Sequence, residues 1–244
     1  YRGWKRPLGH YFFRAETFFN LASKANEYDK ERGRPSYGNK GLHEQSHGES
    51  FLAYFQSFSN TYAPLERLQA CYNEALSHPQ VAGIVVGTRP DCIDEQKLDY
   101  FASLARDKYV SIEYGVESCY DSTLKRINRG HDFAAAERAI NLTAERGIHC
   151  GAHFILGLPG ESDKMLIEQT AKINALPLDT IKFHQLQLFR STPLAREYDE
   201  HPERFRFWSI EEYLDLFVEI LRRLRPNLVV ERFAGEAPPR YHHT

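Results

Sequence analysis

No cysteine occurs in the first 70 residues of this 244-residue chain, and the whole chain has four: Cys71, Cys92, Cys119 and Cys150. They are scattered, with no short-spaced pair, so no disulfide framework is expected, and free thiols in a reducing cytoplasm are. Long apolar runs are missing too. Nothing approaches the ~18 apolar residues of a membrane span, and no signal peptide is visible. Charge of one sign is also lacking. The net charge of −2 gives no global electrostatic footprint for nucleic acid, although a local basic patch stays open. The chain begins at Tyr1 rather than methionine and ends abruptly at Tyr241-His242-His243-Thr244, so part of the N-terminus is expected to be missing. There is no repeat beyond a β/α alternation and no interior linker.

What is present is an ordinary soluble composition, 42% hydrophobic and 26% charged, long enough for one α/β domain with a sizeable core. The centre of the chain, Tyr109 to Gly160, carries the clearest pattern. Val110, Ile112, Tyr114 and Val116 alternate with Ser111, Glu113, Gly115 and Glu117. His149 to Leu156 repeats the alternation, placing Cys150, Ala152, Phe154 and Leu156 opposite Gly151, His153, Ile155 and Gly157. Between them Phe133 to Arg146 has apolar residues at helical spacing, with Asp132 at the N-cap and Gly147 just past the end. This is a βαβ unit with parallel strands and a right-handed crossover. Parallel strands are normally apolar on both faces, yet one face here carries Glu113, Glu117 and His153. An incomplete parallel (β/α) barrel explains that: outward side chains pack on helices, inward ones line a cavity, and the loops after the strands hold the chemistry.

The motifs GVES (Gly115–Ser118), LKRINRGH (Leu124–His131) and HFILGLPGES (His153–Ser162) resemble the radical S-adenosylmethionine (radical SAM) superfamily. The pattern is similar to an uncharacterised bacterial branch related to the Elongator catalytic subunit. The resemblance covers about Phe51 to Pro239. It implies a partial barrel that binds SAM and a 4Fe-4S cluster, cleaves SAM reductively to a 5′-deoxyadenosyl radical and abstracts hydrogen from a substrate it does not name. An electron donor such as flavodoxin or ferredoxin is implied with it. Residue by residue, it assigns Glu117 to the SAM ribose, Arg129 to the carboxylate, and Ile155 and Gly157 to the adenine region. Gln56, Asn60 and Thr61, after the strand Phe51–Gln56, stand where the SAM amino group is approached; equally, Asn60 and Thr61 cap the following helix. Arg89, His153, Lys182 and His184 are expected to face substrate. Arg89 lies in Gly87-Thr88-Arg89-Pro90-Asp91, and either holds an anion or pairs with Asp91.

The same resemblance calls for three cysteines spaced C-x3-C-x2-C before the second barrel strand, leaving one iron for SAM. They are absent, so these 244 residues are expected to bind no cluster. A cysteine-bearing loop lying elsewhere, replaced cysteines and a degenerate, non-catalytic SAM-binding module are the open explanations. A barrel enzyme using Glu113, Glu117 and His153 for acid-base chemistry is a further reading.

Residues 1–50 are read as a loop-rich N-terminal segment and 51–244 as the barrel domain. Tyr11 to Leu21 reads as a short amphipathic helix, and His43 and His47 as solvated. Further along, strands are expected at Val81–Val86, Thr180–Leu186 and Leu228–Phe233. Helices are expected after Pro64, after Asp94, from Ser162 to Leu176, and from a Ser209/Glu212 capping box to Arg225 with Leu214, Phe217, Val218 and Leu221 inward.

Overall fold

The computed structural model describes residues 11–14, 50–56 and 59–235, with backbone only for the first stretch. The chain divides into two compact units, residues 1–88 with 94–112, and residues 89–93 with 113–244.

In the first unit the strands are β1 (Tyr11–Arg14), β2 (Phe51–Phe55), β3 (Val81–Thr88) and the opening half of β4 (Tyr109–Glu117), hydrogen-bonded in that order. β1 pairs parallel with β2, Tyr11 against Phe51, and β2 pairs parallel with β3. The residues Tyr11 to Phe13 are therefore strand, not helix. A four-residue strand with three successive aromatics has no helical period of its own, and the partner strand decides its conformation. The other residues of that expected helix, and His43 and His47, lie outside the described residues. Helices α1 (Leu65–Leu76) and α2 (Glu95–Leu104) bury Leu68, Tyr72 and Ala75, and Leu98 and Phe101. Asp94 caps α2 by accepting from the Lys97 amide.

The second unit starts with a short 3-10 turn, Pro90–Cys92, and takes up the second half of β4. It continues with α3 (Asp121–Arg126), α4 (Phe133–Glu145), β5 (His149–Leu156), α5 (Asp163–Ala175), β6 (Thr180–Gln185), α6 (Pro193–Glu200), α7 (Ile210–Arg223) and β7 (Val229–Arg232). The strand order is β4-β5-β6-β7, and the β5–β6 and β6–β7 pairings are parallel. The apolar faces of the strands meet the helices: Tyr114, Val116, Cys150, Ala152, Phe154, Leu156, Ile181 and Phe183 are all fully buried. Each buried aliphatic or aromatic side chain contributes about 1.5–3 kcal/mol, so this layer supplies the main stabilisation of the unit. Caps on Asp132, Ser162 and Thr192, and the Ser209/Glu212 capping box, fix the helix starts.

Helix α7 presents a different face from the one its spacing predicts. Leu216, Phe217 and Ile220 are buried, whereas Leu214, Val218 and Leu221 are exposed together with Ile210. The helix carries two apolar stripes, and only the tertiary partner, here Phe183 against Phe217 with ring centroids 5.4 Å apart, selects between them.

Candidate functional site

The polar face of the second unit is built from alternate residues of β4, β5 and β6. Period-2 alternation puts Glu113, Gly115 and Glu117 on the face shared with Gly151, His153 and Ile155, and with Lys182 and His184. At its base Glu113 is 4% exposed, and its side chain accepts from Lys182 Nζ at 2.6 Å on both oxygens and from His153 Nε2 at 2.8 Å on Oε2. Lys182 Nζ also lies 3.5 Å from Glu231. Burial alone would raise the Glu113 carboxyl. The His153 hydrogen bond and the Lys182 charge overcome that and hold it at about 2. The His153 and His184 rings are 5.6 Å apart. Burial, followed by the positive charges of His153, Arg232 and Lys182, pushes His184 down to about 4, so it is neutral at neutral pH.

At the end of β4 the arrangement changes. Glu117 has φ +70, a left-handed conformation that a non-glycine residue adopts at a cost of about 1 kcal/mol or more. Arg129, carried back by the α3 turn, lies 3.1 Å from the Glu117 carboxylate and donates from Nη2 to the Gly115 carbonyl at 2.7 Å. Gly115 makes room for both: a Cβ there would collide with the Arg129 guanidinium and the Glu117 carboxylate. Burial raises the Glu117 carboxyl, with Arg129, His153 and His131 opposing.

The loop after β5 is bound to the loop after β4. Ser118 donates to the Glu161 carboxylate, which is 5% exposed and whose second oxygen has no hydrogen-bond partner among the described residues. Burial raises this carboxyl, and the Ser118 and Thr123 hydrogen bonds oppose the shift. Gly157, at φ +88, passes under Trp208, whose ring would lie 2.9 Å from a Cβ at that position. Sequence reasoning missed Trp208, Glu161 and the role of Gly115. Glu161 and Gly115 lie inside the quoted motifs; Trp208, 51 residues beyond Gly157, left no local signal.

The remaining expected residues fall as follows. Ile155 packs with Leu158, Leu186 and Leu188. Arg89 forks onto Asp91, donating from Nε at 2.9 Å, and its guanidinium lies against Gly130. In the first unit the Asn60 amide donates to the carbonyls of Phe55 and Gly87, at 2.9 and 2.8 Å, while the Thr61 hydroxyl meets Thr88 at 2.6 Å. Gln56 directly follows β2 and is partly buried.

The thiols do not fit a 4Fe-4S cluster. Cys71 is exposed on α1; Cys92, Cys119 and Cys150 are buried on the 3-10 turn, the β4 loop and β5. Burial pushes the Cys119 and Cys150 thiols far up, away from the thiolate a ligand must be. Among the described residues no group of three His, Cys, Asp or Glu is placed to hold a metal, and no helix is long and apolar enough to cross a membrane.

The sequence matches the Radical SAM superfamily over residues 48–170 and the Radical_SAM C-terminal domain over residues 178–242. Protein YhcC of Escherichia coli K12 is 32% identical over 91% of this chain and 71% of its own length. Protein YtqA of Bacillus subtilis is 34% identical over 81% of this chain, which spans 61% of that relative. Among solved structures, the archaeal Methanocaldococcus infernus Elp3 superposes with a TM-score of 0.68 at 17% identity, covering 96% of this chain and 57% of that one. That likeness shows the fold, the incomplete parallel (β/α) barrel read from the strand pattern. With parallel strands, the polar strand face and both sequence matches in agreement, the chain belongs to the radical SAM superfamily.

Proposed function

We propose that this chain binds S-adenosylmethionine on the second unit, at the ends of β4 and β5, and presents a polar strand face to a substrate. The observation that carries the reading is the Glu117–Arg129 pair, a strained glutamate and an arginine gathered over Gly115, which has no side chain. On this reading Glu117 accepts from the ribose hydroxyls. Arg129 turns one edge of its guanidinium to the SAM carboxylate while the Gly115 carbonyl holds the other. Ile155 and Gly157 line the adenine side. His153, Lys182 and His184 face substrate, with Arg89 at the rim. Asn60 and Thr61 are occupied in tying β2 to β3, so the proposed contacts are those of the second unit.

The family's reductive cleavage of SAM draws on an iron–sulfur cluster held by three thiolates, with an external electron donor. The four cysteines here do not provide those ligands, and the reading is therefore a SAM-binding and substrate-positioning domain. The dispersal of the thiols favours, as a second reading, a member of the family that binds without radical chemistry.

Calorimetric titration of SAM into wild type, Arg129→Ala and Arg138→Ala tests the proposal. Arg138 is exposed on α4 and controls for lost charge. A charge-assisted hydrogen bond is worth roughly 1.5–3 kcal/mol, so Arg129→Ala should weaken binding on the order of tenfold to a hundredfold. Arg138→Ala should change it by less than about twofold. Equal affinities in two folded variants would refute the assignment of Arg129.

A further inference from the structure

We propose that His153 is the proton acceptor of the substrate face, with Glu113 as its positioning residue, and that the substrate is a molecule presenting a hydroxyl or amine to Nδ1 of His153. This rests on the reading of the polar strand face as the place where substrate lies.

Hydrogen-bond capacity decides which ring nitrogen donates. An ionised carboxylate only accepts. Glu113 is ionised across the neutral range, so His153 Nε2, 2.8 Å from Oε2, must be the donor. That holds whether the ring is neutral or charged. The proton that comes and goes on His153 is therefore the one on Nδ1, and in the neutral ring Nδ1 is a bare acceptor. Among the described residues no group hydrogen-bonds Nδ1, and it is not sealed off, the side chain being 16% exposed. A base oriented by a buried carboxylate, with its second nitrogen open, is the arrangement that general-base catalysis requires.

The neighbours fix the position of this ring. Both Glu113 oxygens are pinned by Lys182, so the carboxylate cannot swing away from His153. His184, whose ring is tilted against His153 at 5.6 Å, is neutral above about 4, so it adds no charge against an imidazolium at His153. Glu117 lies close enough for the His153 charge to act on its carboxyl, and Glu231 sits 3.5 Å from Lys182. These three acids face three standing cations, Lys182, Arg232 and Arg129, so the face is balanced before His153 takes a proton, and Glu113 is the anion that directly contacts the ring. In the step itself, the substrate O–H or N–H bond breaks, its proton passes to Nδ1, and the electron pair stays on the substrate heteroatom. Nothing is oxidised or reduced. The proximity to Glu117 places this acceptor beside the proposed SAM ribose contact.

Nitrogen-15 NMR of histidine-labelled full chain, titrated with pH, tests the proposal without SAM. The expected result is one neutral tautomer for His153, with Nε2 protonated throughout and Nδ1 alone gaining the proton as pH falls. A neutral ring protonated at Nδ1, or titration at Nε2, would overturn it. The double variant Glu113→Leu/Lys182→Met removes both charges with little change in volume, and His153 should then show a mixture of tautomers. Retention of the Nε2-only tautomer would show that Glu113 does not set it. Should that variant fail to fold, the wild-type titration decides alone. Diethyl pyrocarbonate, which consumes a bare accessible imidazole nitrogen, should modify His153 in wild type; an unmodified His153 in folded protein would show Nδ1 closed to substrate. Loss of SAM binding in the calorimetry, with these results intact, would refute the cofactor reading and leave the acceptor standing.

Discussion

Lys182→Met should destabilise the protein by roughly 3 kcal/mol at neutral pH, and the loss should vanish on acidification. Glu113 sits at about 2 in the fold against 4.5 for the free side chain. A difference of about 2.5 pH units at 1.36 kcal/mol each puts its contribution near 3 kcal/mol. Removing one partner of a buried pair costs about 3–5 kcal/mol, and the surviving His153 hydrogen bond favours the lower end. The sign follows from the direction of the shift. A depressed carboxyl stabilises above its unfolded value and loses that stabilisation as pH falls through its folded value. The wild-type advantage over Lys182→Met is therefore full above about 4.5 and fades toward 2 as Glu113 is protonated in both proteins. Urea titration at a series of pH values measures it. With a slope of about 3 kcal/mol per molar, the midpoint should drop on the order of 1 M at neutral pH. Glu113→Gln/Lys182→Met, which leaves no buried charge of the pair, should recover most of the loss. A penalty for Lys182→Met that is the same at every pH would refute the view that the Lys182–Glu113 charge interaction supplies this stability.

Other outcomes follow from the same geometry. Gly115→Ala should weaken SAM binding more than it lowers the unfolding midpoint, because the new methyl meets the movable end of Arg129 rather than backbone; calorimetry and urea unfolding of the one variant separate the two effects. Iodoacetamide should label Cys71 rapidly and leave Cys119 and Cys150 unlabelled until the protein is denatured, as mass spectrometry of the peptides would report. Glu161 has a raised folded value, so its contribution to stability is present at low pH and is lost as pH rises through that value; Glu161→Gln should flatten this dependence, and Glu161→Ala should destabilise at every pH.

Much of the β/α order was legible because burial and periodicity coincide there. His149–Leu156 is strand over its whole expected length, and Phe133 starts its helix behind the Asp132 cap. The failures have physical causes. Asp121–Arg126 and Pro193–Glu200 are too short to show a helical period. Tyr11–Phe13 takes its conformation from a partner strand 40 residues away. On α7, Leu214 and Val218 match Leu216 and Ile220 in hydrophobicity, so composition could not choose the inner face. For the site, alternation put Glu113, Glu117, His153, Lys182 and His184 on one face. It could not reveal that Glu113 is held by Lys182 and His153 together, because the three residues lie on three strands.

The two glutamates of β4 show how a single strand divides its work. Glu113 and Glu117 are four residues apart on the same face, and their carboxyls shift in opposite directions. Where two acids on one face are driven apart in this way, their roles differ. Glu113 has both oxygens taken by Lys182 and His153 and an ordinary strand backbone; it is fixed as an anion and its influence is felt through His153. Glu117 has one ion-pair partner among the described residues, a side chain 17% exposed and a left-handed backbone. Folding gains little from holding a glutamate there, since a glycine would adopt φ +70 without strain. On the proposed reading, this strained carboxyl beside an arginine is there for a ligand. Glu117→Gly therefore makes the sharpest separation of the two. It should raise or preserve stability by relieving the backbone and should abolish the SAM contact, whereas Glu113→Gly should cost stability. A Glu117→Gly protein that is both less stable and equally able to bind SAM would show that Glu117 serves the fold.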